Sequence, residues 1–275
     1  MAQVSVIIPT FNRRFLLEET LASVLRQTDQ DFEIVVVNDG SDDETDRFLD
    51  SCASPVRAIR IDHRGVGAAR NAGLAEATGN LIAFLDDDDM WHPEFLARMT
   101  AALEENRQAG FSYCDYSAFD HNGMLREYFF RREEKTGDDL LPLLIEGDFL
   151  CIGGALIRRD AIAGSAPFDL ELPPAEDWAF WLGLACRTRA VCVDRPLLQI
   201  RYHSGNHSRD SGLMWRCNLN VLEKFLVEHP ETPALLRRAA RRNIRRNHFL
   251  LGRLAVKERR LRPAIEHFAR LARSL

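Results

Sequence analysis

Four short apolar runs dominate the first third of the chain: VSVIIP at 4–9, EIVVVND at 33–39, VRAIRI at 56–61 and LIAFLD at 81–86. Runs of this length, rich in Val and Ile, suit strands covered on both faces, as in a parallel sheet. Helical periodicity lies between them, in LEETLASVLRQ at 17–27 and GVGAARNAGLAEAT at 65–78. The rhythm predicts an α/β fold with a mostly parallel central sheet flanked by helices, and a ligand crevice beyond the carboxyl ends of the strands. With 275 residues, 46% of them hydrophobic, the chain can bury the core such a sheet needs.

Polar residues follow each of these strands. Pro9, Thr10 and Phe11 end the first, Asn38, Asp39, Gly40 and Ser41 the second, Asp62 and His63 the third, and Asp86, Asp87, Asp88 and Asp89 the fourth. Each group alone reads equally well as a turn or helix cap. Delivered together to one sheet edge, they point to a site. Four consecutive ionised carboxylates repel one another, so water, a cation or donors from elsewhere must offset the charge. Neither GxGxxG nor GxxxxGK[ST] occurs, which removes the dinucleotide fingerprint and the phosphate loop. A carboxylate-rich site holds a diphosphate only through a cation such as Mg²⁺ or Mn²⁺.

These segments resemble the family 2 glycosyltransferases, nucleotide-sugar transferases of the GT-A fold. The resemblance runs through VSVIIPTFNR, VVVNDGSDD, GVGAARNAG, FLDDDDMWHP, PAEDWAFWLGLA and RYHSGNHS, covering roughly residues 3 to 210. It implies a metal-dependent, inverting transfer of sugar from a nucleoside diphosphate, most simply UDP, to the hydroxyl of a glycan, a lipid-linked sugar or another acceptor. By the same resemblance Pro9, Thr10, Phe11, Asp39, Arg70, Asp86 and Asp87 bind donor. Asn38 departs from the Asp often found there. Asp88 is the first choice for the metal, with Asp86 and His203 as candidates to join it, and Mn²⁺ or Mg²⁺ is the implied cofactor. Asp177 is the implied general base, and Glu176 is the second catalytic candidate, ordering this arrangement or contacting the acceptor. Acceptor-side candidates are Trp91, His92 and Trp178, with residues 110–153 as the surrounding region. A noncatalytic nucleotide-sugar sensor or glycan-binding module on the same scaffold is the rival reading.

The remaining features concern context. Six cysteines are scattered without a CxxC pair, as expected of reduced core thiols. No basic leader and no run of 18 apolar residues appears, so a cytoplasmic protein is expected. Charge is divided: residues 231–275 carry 13 Arg or Lys against 3 Glu, a net of +10, which leaves −15 for residues 1–230 of a chain whose total is −5. We expect a catalytic domain over 1–213 and a basic helical appendage over 214–275. Pro263 would start a helix there, and Leu235, Leu236, Ala239, Ile244, Leu250, Leu251 and Leu254 would form its apolar stripe. Packing on the catalytic domain, on a second subunit, or on an anionic inner membrane surface all remain open for it. No nucleic-acid partner is expected.

Overall fold

The structure, a computed structural model, describes residues 3–130, 139–162, 168–172, 174–203 and 210–273. The four apolar runs form strands β1 (Val4–Thr10), β2 (Phe32–Asn38), β3 (Val56–Arg60) and β4 (Leu81–Phe84), paired in parallel in the order β3-β2-β1-β4. Helices α1 (Arg14–Leu25), α2 (Thr45–Ser51) and α3 (Val66–Glu76) make the crossovers.

Beyond β4 the sheet changes character. After β5 (Met90–Trp91) and α4 (Phe95–Glu105), the chain forms β6 (Ala109–Asp120), β7 (Gly123–Glu127), α5 (Leu141–Glu146), β8 (Ala155–Arg158), α6 (Arg159–Ile162), α7 (Glu176–Ala185) and β9 (Arg189–Arg201). The full order is β3-β2-β1-β4-β8-β6-β9-β5, with β7 on β6. β8 is antiparallel to both β4 and β6, whereas β6 and β9 run parallel. The expected α/β architecture holds, and the parallel pattern read from the early runs gives way to a mixed sheet at β8.

Alternation along the strands explains the two-faced core. Ile7, Val35, Val37, Ile82 and Phe84 face a layer containing α5 and α7. Val6, Ile8, Ile34, Val36 and Ala83 face α1 and α4 through Leu17, Leu21, Phe95 and Met99. The last glycine of GVGAARNAG has a physical reason in this packing. A Cβ on Gly73 would sit 2.4 Å from Ile7 Cγ2, so only a bare backbone lets α3 lie so close to β1.

Helices α8 (Ser211–Glu228), α9 (Ala234–Lys257) and α10 (Leu261–Arg273) complete the chain. The division expected at 213/214 falls inside α8, and Cys217, Val221, Leu222, Phe225 and Ala240 belong to the same apolar cluster as Ile7. The α9 stripe is also rotated from expectation. Leu251 is buried and Leu236, Ala239 and Ile244 pack against the core, but Leu235 is 75% exposed, and Asn247 and His248 are buried instead. Asn247 is accommodated because its amide donates to the Asn243 carbonyl one turn earlier. Pro263 lies in the first turn of α10 as expected.

Candidate active site

A cavity of about 620 Å³ opens beyond the carboxyl ends of β1, β2 and β4, where the sequence rhythm put it. At one end the Phe11 ring stacks on the His63 imidazole, with centroids 4.0 Å apart, making a flat aromatic surface. Asp39 underlies it. Its two carboxylate oxygens accept the backbone N–H groups of Arg64 and Gly65, both at 2.9 Å, and His63 Nδ1 lies 2.9 Å from Oδ2. Asp39 therefore shapes the 63–65 loop as well as lining the cavity. Asn38 donates from Nδ2 to Asp46 and accepts the Ser41 N–H, a pair of roles an ionised Asp could not fill.

The four carboxylates have different sets of partners, with Arg13 shared by Asp87 and Asp88. Asp86 Oδ1 accepts from Arg70 at 2.7 Å. Asp87 accepts from Thr10 Oγ1 at 2.7 Å and from Arg13 at 3.0 Å. Asp88 Oδ2 faces Arg13 at 2.8 Å and His203 Nε2 at 2.9 Å. Asp89 Oδ1 accepts the Arg201 backbone N–H at 3.0 Å. Burial pushes Asp87 up to about 6 against the opposing pull of Arg13 and Thr10. Burial together with the charges of Asp88 and Asp86 raises Asp89 well above the usual carboxylate range. Arg13 is the cation the sequence reading missed. The acidic run signalled only that some counter-charge was needed; nothing in the sequence pointed to Arg13, 74 and 75 residues away.

Arg70 lines the cavity and is only 4% exposed. Its guanidinium bridges Asp86 and Glu176, the latter at 2.8 Å, and lies over the Phe168 ring. Burial opposes its charge, but Asp86, Glu176 and Asp177 together hold it more firmly protonated than usual. Glu176 Oε2 has no hydrogen-bond partner among the described residues, and Glu176 lines the cavity. Asp177 is half-buried on the same wall, at the N-terminus of α7, with Oδ1 accepting the adjacent Trp178 N–H at 2.8 Å. Burial and the neighbouring Glu176 push its carboxyl up to about 6. Asp148, absent from the sequence-based candidates, faces this wall from the loop after α5. Its side chain is exposed and lines the cavity.

The aromatic candidates are corrected. Trp91 is 3% exposed, stacks on Phe95 and donates from Nε1 to the Gly153 carbonyl at 2.7 Å. Trp178 is 1% exposed and donates to the Leu144 carbonyl at 2.9 Å. Both indoles are engaged in packing and one backbone bond; Trp178 is nonetheless among the residues that line the cavity, and Trp91 is not. His92 is exposed on the surface and does not line the cavity. The 110–153 region does contribute, through Tyr116 and residues 148–153. Gly205 and His207 of RYHSGNHS, and the charged stretch at 131–138, lie outside the described residues.

Among the described residues no three His, Cys, Asp or Glu side chains form a metal-holding group. Asp88 and His203 still present an oxygen and an imidazole nitrogen to one point. Those two groups would be the ones to hold a divalent cation, whose positive charge would stand beside a bound diphosphate. Asp86 is directed to Arg70 instead.

Comparison with known proteins bears on this geometry. A putative teichuronic acid biosynthesis glycosyltransferase of Bacillus subtilis is 32% identical over 186 residues, covering 66% of this chain and 71% of that protein. An uncharacterised Nostoc glycosyltransferase is 30% identical over 187 residues, and the match covers 65% of this chain and 56% of that protein. A Rickettsia bellii relative is 28% identical over 74% of this chain, which spans only 29% of its length. In fold, the chain is similar to Staphylococcus aureus TarS 1–349 in complex with UDP-GlcNAc, with a TM-score of 0.75 at 19% identity over 99% of this chain and 81% of that one. It is also similar to the Pyrobaculum calidifontis mannosyltransferase in complex with GDP-Man and Mn²⁺, with a TM-score of 0.67 at 19% identity over 98% of this chain and 75% of that one. The family model for glycosyl transferase family 2 matches residues 5–164, more than half of the sequence, spanning β1–β4, but for Val4, together with the acidic run, and the chain belongs to that family.

Proposed function

We propose that the chain transfers a sugar from a nucleoside diphosphate donor to an acceptor hydroxyl with inversion at the anomeric carbon, assisted by Mn²⁺ or Mg²⁺. One observation carries the reading. A single cavity holds two separate acidic functions, the Asp86–Asp89 run with Asp88 paired to His203, and Asp177 on the opposite element α7. In this reading Pro9, Thr10, Phe11, His63 and Asp39 receive the nucleoside. UDP is the first choice of carrier, since TarS structures hold UDP or UDP-GlcNAc.

A cation on Asp88 and His203, when bound, supplies positive charge beside the departing diphosphate. Arg13 stands within reach of Asp87 and Asp88 and adds a fixed charge to the same end. Asp177 takes the proton from the acceptor hydroxyl as the new bond from that oxygen to the anomeric carbon forms and the bond to diphosphate breaks. A carboxylate raised to about 6 is ionised at neutral pH and more basic than a solvated one, which suits it to the task. The Arg70–Glu176 pair fixes the first turn of α7 and so aims Asp177. Tyr116 and Asp148 stand on the acceptor side, which would take a glycan, a lipid-linked sugar or another hydroxyl.

The test is a panel of UDP-, GDP- and dTDP-sugars with Mg²⁺ or Mn²⁺ and a broad set of acceptors. Acceptor-dependent release of nucleotide is the expected result. Tight donor binding with no turnover across the panel would move the reading to a noncatalytic sensor.

A further inference from the structure

Helix α10 is amphipathic in an unusual sense, because the line that should be buried faces outward. Leu261, Ile265 and Phe268 recur at i, i+4 and i+7, yet they are 71%, 68% and 36% exposed. The helix turns small Ala264 inward instead, with Pro263 and His267 half-buried beside it. Helix α9 extends this apolar face. Phe249 and Val256 are 44% and 54% exposed, and the Phe249 ring lies 6.4 Å from that of Phe268. The two helices therefore share one surface.

Cations are threaded through it. Arg246, Phe249, Arg253 and Val256 follow one face of α9, alternating charge with apolar bulk, and the Arg253 guanidinium sits over the Phe249 ring. Lys257 and Arg259 continue the series at the turn between the helices. All four cations are exposed, and none has an ion-pair partner among the described residues. No helix of the described residues is long and apolar enough to cross a membrane.

We propose that the α9–α10 hairpin seats the protein on an anionic lipid surface. Leu261, Ile265, Phe268, Phe249 and Val256 would enter the boundary between headgroups and acyl chains, while the Arg and Lys heads remain among the lipid phosphates. Charge disfavours the same face of a second copy as the occupant. The segment 231–275 is +10, so an isologous contact would set like charges face to face, whereas an anionic bilayer offers the opposite sign over the whole face. The proposal stands apart from the sugar-transfer reading and needs no activity for its test.

The experiment is co-sedimentation of the full chain with phosphatidylcholine vesicles, with and without phosphatidylglycerol, at low and high salt. Binding is expected only to the anionic vesicles, falling with salt as the Arg and Lys charges are screened. Leu261→Gln with Ile265→Glu removes apolar bulk from two exposed positions and should weaken binding by about tenfold or more. Arg246→Gln with Arg253→Gln keeps the apolar face and should remove most of the salt-sensitive part. Circular dichroism checks that both variants remain folded. Three results would overturn the proposal: no binding of the wild type at low salt, equal binding by the Leu261/Ile265 variant, or concentration-dependent self-association that this variant abolishes.

Discussion

The acidic run is tolerated because its neighbours in space are not its neighbours in sequence. Asp86, Asp87, Asp88 and Asp89 meet Arg70, Thr10 with Arg13, Arg13 with His203, and the Arg201 backbone, respectively. These partners make the four positions unequal. Asp88→Asn removes the charge that faces both Arg13 and His203, so calorimetry with donor and Mn²⁺ should show metal-dependent binding lost or weakened at least tenfold. Asp89→Asn should weaken it far less, because Asp89 serves a backbone N–H and burial already favours its protonated form. Equal losses would contradict the division. The run itself was legible as a motif. Arg13, 74 and 75 residues from Asp87 and Asp88, was not, because a pairing at that separation leaves no local periodicity. Trp91 and Trp178 misled for the converse reason. Both sit beside site motifs in sequence, and only the structure shows their indole N–H groups given to the backbone carbonyls of Gly153 and Leu144.

At the scale of elements, Arg70 joins α3, the end of β4 and α7 through one buried guanidinium. Breaking a buried pair from one side leaves uncompensated charge, a loss of about 3–5 kcal/mol. Arg70→Met should therefore lower the unfolding free energy by about that amount in denaturant titration. Removing the Glu176 charge as well, in Arg70→Met with Glu176→Gln, should restore part of it. A single variant as stable as the wild type would mean the bridge does not hold α7. The strands and first helices were readable because Val and Ile runs and helical periods are local. The α9 stripe was less so: Leu235 looks like a core residue by spacing, yet α9 turns it to solvent and buries Asn247 and His248, whose polarity is satisfied by Asn243 and by His267 at 3.1 Å.

For the whole molecule, the buried carboxylates make stability depend on pH. Asp87 titrates at about 6 in the fold against 3.8 when solvated, so between those values the folded state binds more protons than the unfolded one. Stability is then fullest below pH 4 as far as this group is concerned and declines as pH rises through about 6, by about 3 kcal/mol for a shift of this size. Asp177 acts in the same direction and window. Without added divalent cation, the wild type should lose more thermal stability than Asp87→Asn between pH 5.5 and pH 8, a comparison that cancels His248 and His267, which burial lowers and which act in the opposite direction; equal pH dependence in the two proteins would contradict the burial assigned to Asp87. In the proposed function the cavity divides labour, with β1–β4 supplying the acidic run and the proposed nucleoside surface, and α7 supplying Asp177. The most direct test of that division is Asp177→Asn, with donor affinity, Mn²⁺ affinity, thermal stability and turnover measured on one preparation. Loss of a general base predicts kcat lower by about 10² to 10⁴ with both affinities and stability near wild type. A folded Asp177→Asn enzyme with near-wild-type kcat would contradict the account.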